Sequence, residues 1–218
     1  YNADLSHAFD VKLTVFVLCF IFAVIGLSMG FYHFFTDDNK KRSVLIQSTF
    51  RCNYIIFGSY LVAKVYGDEG AAIMAMLSVF LVPLFAGLAV FILSFYHGES
   101  GEKINIKKVF IDIVTNPMVI AVLIGIALNA LNIRLPSVLP TVTNDIGLCT
   151  TPIALFALGG QFDFESLKHN IKYVVVGTLA RLIIVPLIVV SIAVAFGFRG
   201  AELMAIMAIS ASPTSVSS

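Results

Sequence analysis

The chain has 218 residues, 59% hydrophobic and 12% charged, with a mean hydropathy of +0.96 and a formal charge of +1. No soluble domain of this size has that composition, so the chain reads as an integral membrane protein, and no basic run suits a nucleic-acid surface. Cys19, Cys52 and Cys149 lie in or beside apolar stretches without metal or disulfide spacing, so no metal, disulfide or cofactor is expected.

Residues 13–35 carry no formal charge and are long enough to cross a bilayer, which takes about 20 residues. Gly26 and Gly30 in this stretch are spaced for close helix approach. A short polar loop, Asp37 to Arg42, follows. Residues 43–65 form a second crossing, with two apolar halves flanking Arg51-Cys52-Asn53-Tyr54. Each half is too short to span alone. Arginine at membrane depth is costly, and asparagine competes for backbone hydrogen bonds. The expectation is one crossing with a polar, unwound centre, which is tolerated only where it lines a cavity. The alternative is a continuous helix with Arg51 packed against protein or reaching the interface.

Gly67 to Gly70 read as a turn, and residues 71–96 as a charge-free span kinked at Pro83. Residues 97–112 form a polar linker. Residues 113–133 are a span opening near Asn116-Pro117, and 134–144 a loop with Pro136 and Pro140. Residues 145–158 are a short span holding Thr150-Thr151-Pro152. Residues 161–172 are an amphipathic connector. Residues 173–198 are a span with Arg181 inside it, and a last span starts at Leu203 and is interrupted at Ser212-Pro213-Thr214. Lys and Arg alternate between sparse and dense loops along the chain. The dense side carries Lys40, Lys41, Arg42, Lys103, Lys107, Lys108, Lys168 and Lys172, so it is expected to be cytoplasmic, with Tyr1 outside.

A shift of 161 positions (213 − 52) lays residues 13–35 on 174–196, span on span. It lays loop 36–42 on 197–203 and Cys52-Asn53 on Pro213-Thr214, without a gap. An odd number of crossings lies between the copies, so the second is inverted. Matching interrupted spans in inverted repeats point to the binding site of a secondary transporter. The expected fold is therefore all-α and membrane-integral, built on inverted five-helix repeats with interrupted crossing helices. Residues 1–96 belong to the first repeat, 97–112 to a cytoplasmic linker and 113–218 to the second. The register asks for further spans on both sides, so the chain reads as a fragment holding the third through most of the ninth of ten, inactive alone.

All thirteen acidic residues lie in loops or at span ends, while Arg51 and Arg181 are deep. Each stands eight residues into its span, about 12 Å at 1.5 Å per residue, near mid-depth. A guanidinium can hold a carboxylate through two parallel hydrogen bonds. Arg51, Cys52, Asn53, Tyr54, Ser212, Pro213 and Thr214 are therefore the candidate substrate-binding residues. Thr150, Thr151, Pro152 and Arg181 are candidates for lining the same cavity. For Arg181 the alternative is a structural arginine bonding backbone carbonyls. For the Thr150–Pro152 group it is an ordinary kink with back-bonded threonines. His33 sits near the cytoplasmic end and reads as an interface residue.

These motifs resemble the auxin efflux carrier family, the PIN-like membrane transport proteins, in their short bacterial form. Arg51, Asn53 and Gly58 match that family's first crossover, with Ile55 and Tyr60 replacing a usual glycine and proline. The stretch from Ala63 to Gly70, Asn116-Pro117 with Gly125, Pro152 to Gly159, Arg181 to Pro186, and Ser212-Pro213-Thr214 are similar to later elements. The resemblance implies crossing helices four and nine at the site. It also implies export or exchange of small organic anions, auxin in plants and dicarboxylates such as malate or malonate in bacteria. It implies a multi-pass protein of the cytoplasmic membrane. A coupling proton or sodium ion and a homodimer are left open. Rival readings are a bile-acid-carrier-like symporter and a cation–proton antiporter of NhaA-like architecture, the latter needing buried carboxylates. An enzyme is disfavoured, since paired intramembrane carboxylates and H-E-x-x-H are absent from the sequence. A membrane receptor or scaffold would have no reason to keep charged, interrupted spans in both halves.

Overall fold

A computed structural model describes residues 10–97, 138–160 and 163–214, with positions 111, 115, 120, 124, 127, 128, 131 and 136 between them. The predicted linker 97–112 and span 113–133, with Asn116, Pro117 and Gly125, lie almost wholly outside the described residues.

Helix α1 runs over Val11–Phe35. The Asp10 carboxylate caps it, accepting from the amides of Lys12 (2.6 Å) and Leu13 (3.2 Å). Leu13, Val17, Ile21, Ile25 and Tyr32 are buried at near four-residue spacing, while Val15, Phe22, Leu27 and Phe31 are exposed. A helix apolar on its buried and its open face alike belongs in lipid. Helix α2, Asn39–Phe50, is capped by Asp38 and starts four residues before the predicted span (43 − 39). It ends at Arg51, where the backbone turns extended. A π-helical turn, Tyr54–Gly58, leads into α3, Ser59–His97.

Gly67 divides α3 into two arms with φ 58° and ψ −138°, a conformation open only to glycine. A Cβ on Gly70 would lie 2.6 Å from the Val62 carbonyl oxygen, so the second arm folds back on the first. The predicted turn is thus in place. Pro83 stays inside a continuous helix.

Helix α4 covers Val138–Gly160, starting seven residues before the predicted span (145 − 138). Pro136 and Pro140 marked a loop in the sequence, but proline is tolerated in a helix's first turn, where its missing N–H has no partner to lose. Helix α5, Phe164–Leu179, begins inside the predicted connector because Asp163 caps it through the Glu165 amide (2.9 Å). A π-helical segment, Ala180–Ile184, joins it to α6, Val185–Ala195, making one long crossing. Helix α7, Gly200–Ala211, starts three residues before the predicted Leu203.

Helix α7 lies against α3 and α6, α1 against α2, and α2 against α3 and α5. Val17, Ile21, Ile46, Leu81, Ala205 and Ile206 are each 2% exposed or less at the centre of this group. Lipid tails are as apolar as these side chains, so close packing rather than water exclusion holds the helices together. Among the described residues, three helical stretches, Val11–Phe35, Tyr54–Leu93 and Leu167–Ala195, are long and apolar enough to cross a membrane. Helices α2 and α7 are both 12 residues long, and their starts (200 − 39) and ends (211 − 50) are each 161 positions apart.

Candidate functional site: a crossing of two interrupted spans

Each interruption has a local cause. Ser212 precedes Pro213, and the proline ring excludes it from the helical region, leaving it extended at φ −63° and ψ 144°. Pro213 also lacks an N–H to continue α7. At the other break, Arg51 is extended at φ −76° and ψ 128°, and Asn53 is non-helical at φ −94° and ψ 49°.

The two breaks meet. Cys52 and Thr214 form an antiparallel bridge, and the Asn53 amide donates to the Pro213 carbonyl at 2.8 Å. The Thr214 hydroxyl donates to the Ser48 carbonyl at 3.2 Å. A Cβ on Gly58 would sit 3.1 Å from Ala208 Cβ and 3.2 Å from both Ala208 O and Ser212 Oγ. Only glycine lets the π-helical turn press this closely on the end of α7.

Helix ends leave carbonyls without partners. Here the Arg51 amide closes on Gln47 O at 2.9 Å, and the Ser212 amide on Ala208 O at 3.2 Å, with the Ser212 hydroxyl donating to the same oxygen. Arg181 supplies three further bonds. Its Nε donates to Ser212 O (3.0 Å), Nη1 to Thr49 O (3.1 Å) and Nη2 to Ile209 O (2.7 Å). The π-helical segment that carries Arg181 precedes Pro186, which has no N–H and crowds the Leu182 carbonyl. The Val185 amide accordingly bonds back to Ala180 O, five residues away.

The predicted residues Arg51, Cys52, Asn53, Ser212, Pro213 and Thr214 therefore come together, with Arg181 against them. Cys52 and Ser212 are each 6% exposed and Arg181 is 2% exposed. Arg51, Asn53 and Thr214 are half-buried, and Pro213 is exposed. Tyr54, grouped with the binding residues in the sequence, is 1% exposed and packs edge-on against Phe85 of α3 at 6.1 Å. Its ring fills the α3 interface, because the π-helical turn starts at this residue and rotates it away from the break. Thr150, Thr151 and Pro152 lie within α4, where Pro152 is an exposed interior proline; the two threonine side chains lie outside the described residues.

Sequence reasoning missed Ser48, Thr49 and Ile209. They serve through backbone carbonyls, which leave no side-chain signature. Thr49 also pairs its hydroxyl with that of Tyr32 at 2.8 Å, tying α1 to the end of α2. A cleft of about 470 Å³ between α2 and α5 reaches the crossing, with Lys40 and Lys41 at one end and Ser48 and Thr214 at the other.

Residues 8–218 match the family described as "Membrane transport protein". An "Uncharacterized transporter" of Methanothermobacter thermautotrophicus is 24% identical over 202 residues, covering 92% of this chain. The chain spans 64% of that relative's length. No solved structure matches the chain.

Proposed function

Because the chain belongs to the membrane transport protein family, we propose that it is part of a secondary carrier moving small organic anions across the cytoplasmic membrane by alternating access. The substrate class is carboxylates such as malate, malonate or auxin-like acids. The reading is of a carrier and not of an enzyme, multi-pass, with the Lys40–Arg42 end of α2 cytoplasmic.

One observation carries this reading: two interrupted spans pair at a point flanked by half-buried Arg51, Asn53 and Thr214. A guanidinium, an amide and a hydroxyl gathered there suit a carboxylate. Each helix C-terminus carries about half a negative charge, and Arg181 lies against two of them, so its charge is matched within the fold. Arg51 sits at the break itself, beside the start of a helical turn whose N-terminal end has no side-chain cap. That end is partially positive and suits a carboxylate. The equal lengths and common 161-residue offset of α2 and α7 support an inverted repeat in which one half rocks against the other.

The test is uptake by the complete protein in proteoliposomes. A panel of mono- and dicarboxylates, amino acids and inorganic cations is offered with and without pH and sodium gradients. Carboxylate uptake with no cation uptake is the expected result. Cation–proton exchange without carboxylate uptake would favour the antiporter reading instead.

A further inference from the structure

Arg181 belongs to neither interrupted span, yet it is bonded to both. Thr49 O lies near the end of α2, and Ile209 O and Ser212 O lie at the end of α7. These partners stand 132, 28 and 31 residues away in sequence, so the guanidinium joins three separate elements at one point. Its planar fork offers donors in several fixed directions, which a lysine ammonium cannot reproduce. Two helix C-termini present about one negative charge between them, matching the one positive charge placed there. At 2% exposure, with Nε, Nη1 and Nη2 each donating to a carbonyl, Arg181 is committed to the fold rather than to a solute.

We infer that Arg181 is the positioning residue of the carrier site: it clamps residues 51–53 and 212–214 together so that Arg51, Asn53 and Thr214 face one volume. This rests on the proposed reading of the crossing as the anion site. The clamp also explains why the bridged segments hold with so few bonds of their own. One amide-to-carbonyl bond and the Thr214 hydroxyl are the bonds described between them and their immediate flanks. Arg181 fixes Thr49 O, two residues before the first segment, and Ile209 O and Ser212 O, three residues before and at the start of the second, and so sets the angle at which each leaves its helix.

Cys52 reports on the clamp, since it sits in the bridge at 6% exposure, whereas Cys19 and Cys149 are exposed. In the complete protein, every cysteine but Cys52 is replaced by serine, and Arg181→Gln and Arg181→Lys are made in that background. Two quantities are read: the rate of Cys52 labelling by N-ethylmaleimide at the alkaline plateau of its pH profile, because the Arg181 guanidinium lies beside the thiol and its loss alone changes thiolate reactivity, and affinity for the carboxylate that the parent takes up. A second reporter, Leu81→Cys with Cys52→Ser, stands in the core at 0% exposure and detects general loosening. The expected result is Cys52 labelling at least about tenfold faster in Arg181→Gln, with Arg181→Lys intermediate. Affinity should fall in the same order while the Leu81 reporter stays protected. Cys52 as protected as in the parent, with unchanged affinity in both variants, overturns the proposal. Labelling of both reporters together also overturns it, because Arg181 would then hold the fold and not the site. If Arg181→Gln fails to stay monodisperse, Arg181→Lys decides alone by the same criteria. Should Cys52 open as expected while Arg51→Gln binds anion like the parent, the clamp stands and the role given to Arg51 fails. If the parent binds no carboxylate, the labelling rates decide.

Discussion

A single methyl group at Gly58 is enough to disturb the crossing. Its Cβ would come within 3.1–3.2 Å of Ala208 and Ser212, and one of those neighbours is a backbone oxygen that cannot swing aside. Gly58→Ala is therefore expected to destabilise the complete protein by about 1–3 kcal/mol. It should also raise the Cys52 labelling rate, checked by thermal denaturation in detergent and maleimide kinetics. Arg51 and Arg181 both stood out in the sequence as deep charges without a deep acid, but their roles could not be told apart there. The partners of Arg181 are carbonyls distant in sequence, and a carbonyl is carried by every residue, so no motif announces them. Tyr54 was equally hard to place from the sequence. Its neighbours in sequence are at the break, but its ring is spent on Phe85.

At the scale of elements, the hairpin within α3 depends on Gly67. Any residue with a Cβ meets steric conflict at φ 58° and ψ −138°. Gly67→Ala should cost about 1–3 kcal/mol and separate the two arms, seen as faster hydrogen exchange around Val62 and Gly70. A second prediction concerns the loop end where α1 and α7 begin. Burial, then a hydrogen bond with Asp10 and its charge, push the Glu202 carboxyl above its usual range, against the opposing charge of Lys12. Burial would also raise Asp10, but hydrogen bonds from the Leu13 amide, Glu202 and the Lys12 amide outweigh it and bring Asp10 below its usual range. For Glu202 the favourable form is protonated. Its contribution is full below the ordinary glutamate value of about 4.3 and is lost as pH rises through the raised value. Glu202→Gln should thus melt higher than the parent at neutral pH, with the difference closing below about pH 4, as followed by thermal melts across pH.

The sequence predicted the order of elements but not their ends, and the reasons are local. Ser212-Pro213 announces its own break through proline sterics. Asn39, Phe164 and Gly200 open helices before the apolar runs do, because Asp38 and Asp163 cap polar first turns and Gly200 follows an extended Arg199. Hydropathy finds the part of a helix that lies in lipid, and capping decides where the helix starts.

For the whole molecule, the proposed reading as part of a membrane transporter rests on the family match, the three membrane-length apolar stretches among the described residues and the bridge between two broken helices. The 161-residue offset carries the most information in the sequence, since it pairs α2 with α7 at both their starts and their ends. Substrate choice is less legible, because the shape of a pocket is not written in a motif. The proposed role of Arg51 is to hold a carboxylate at the crossing. Its most direct test is anion affinity of the complete protein carrying Arg51→Gln, in a preparation that melts like the parent. A hydrogen bond to a charged group contributes about 1.5–3 kcal/mol, so affinity should fall about ten- to hundredfold. Arg51→Lys should fall less, and Arg199→Gln, in the loop before α7, little. An Arg51→Gln protein that binds its carboxylate as tightly as the parent would contradict the account.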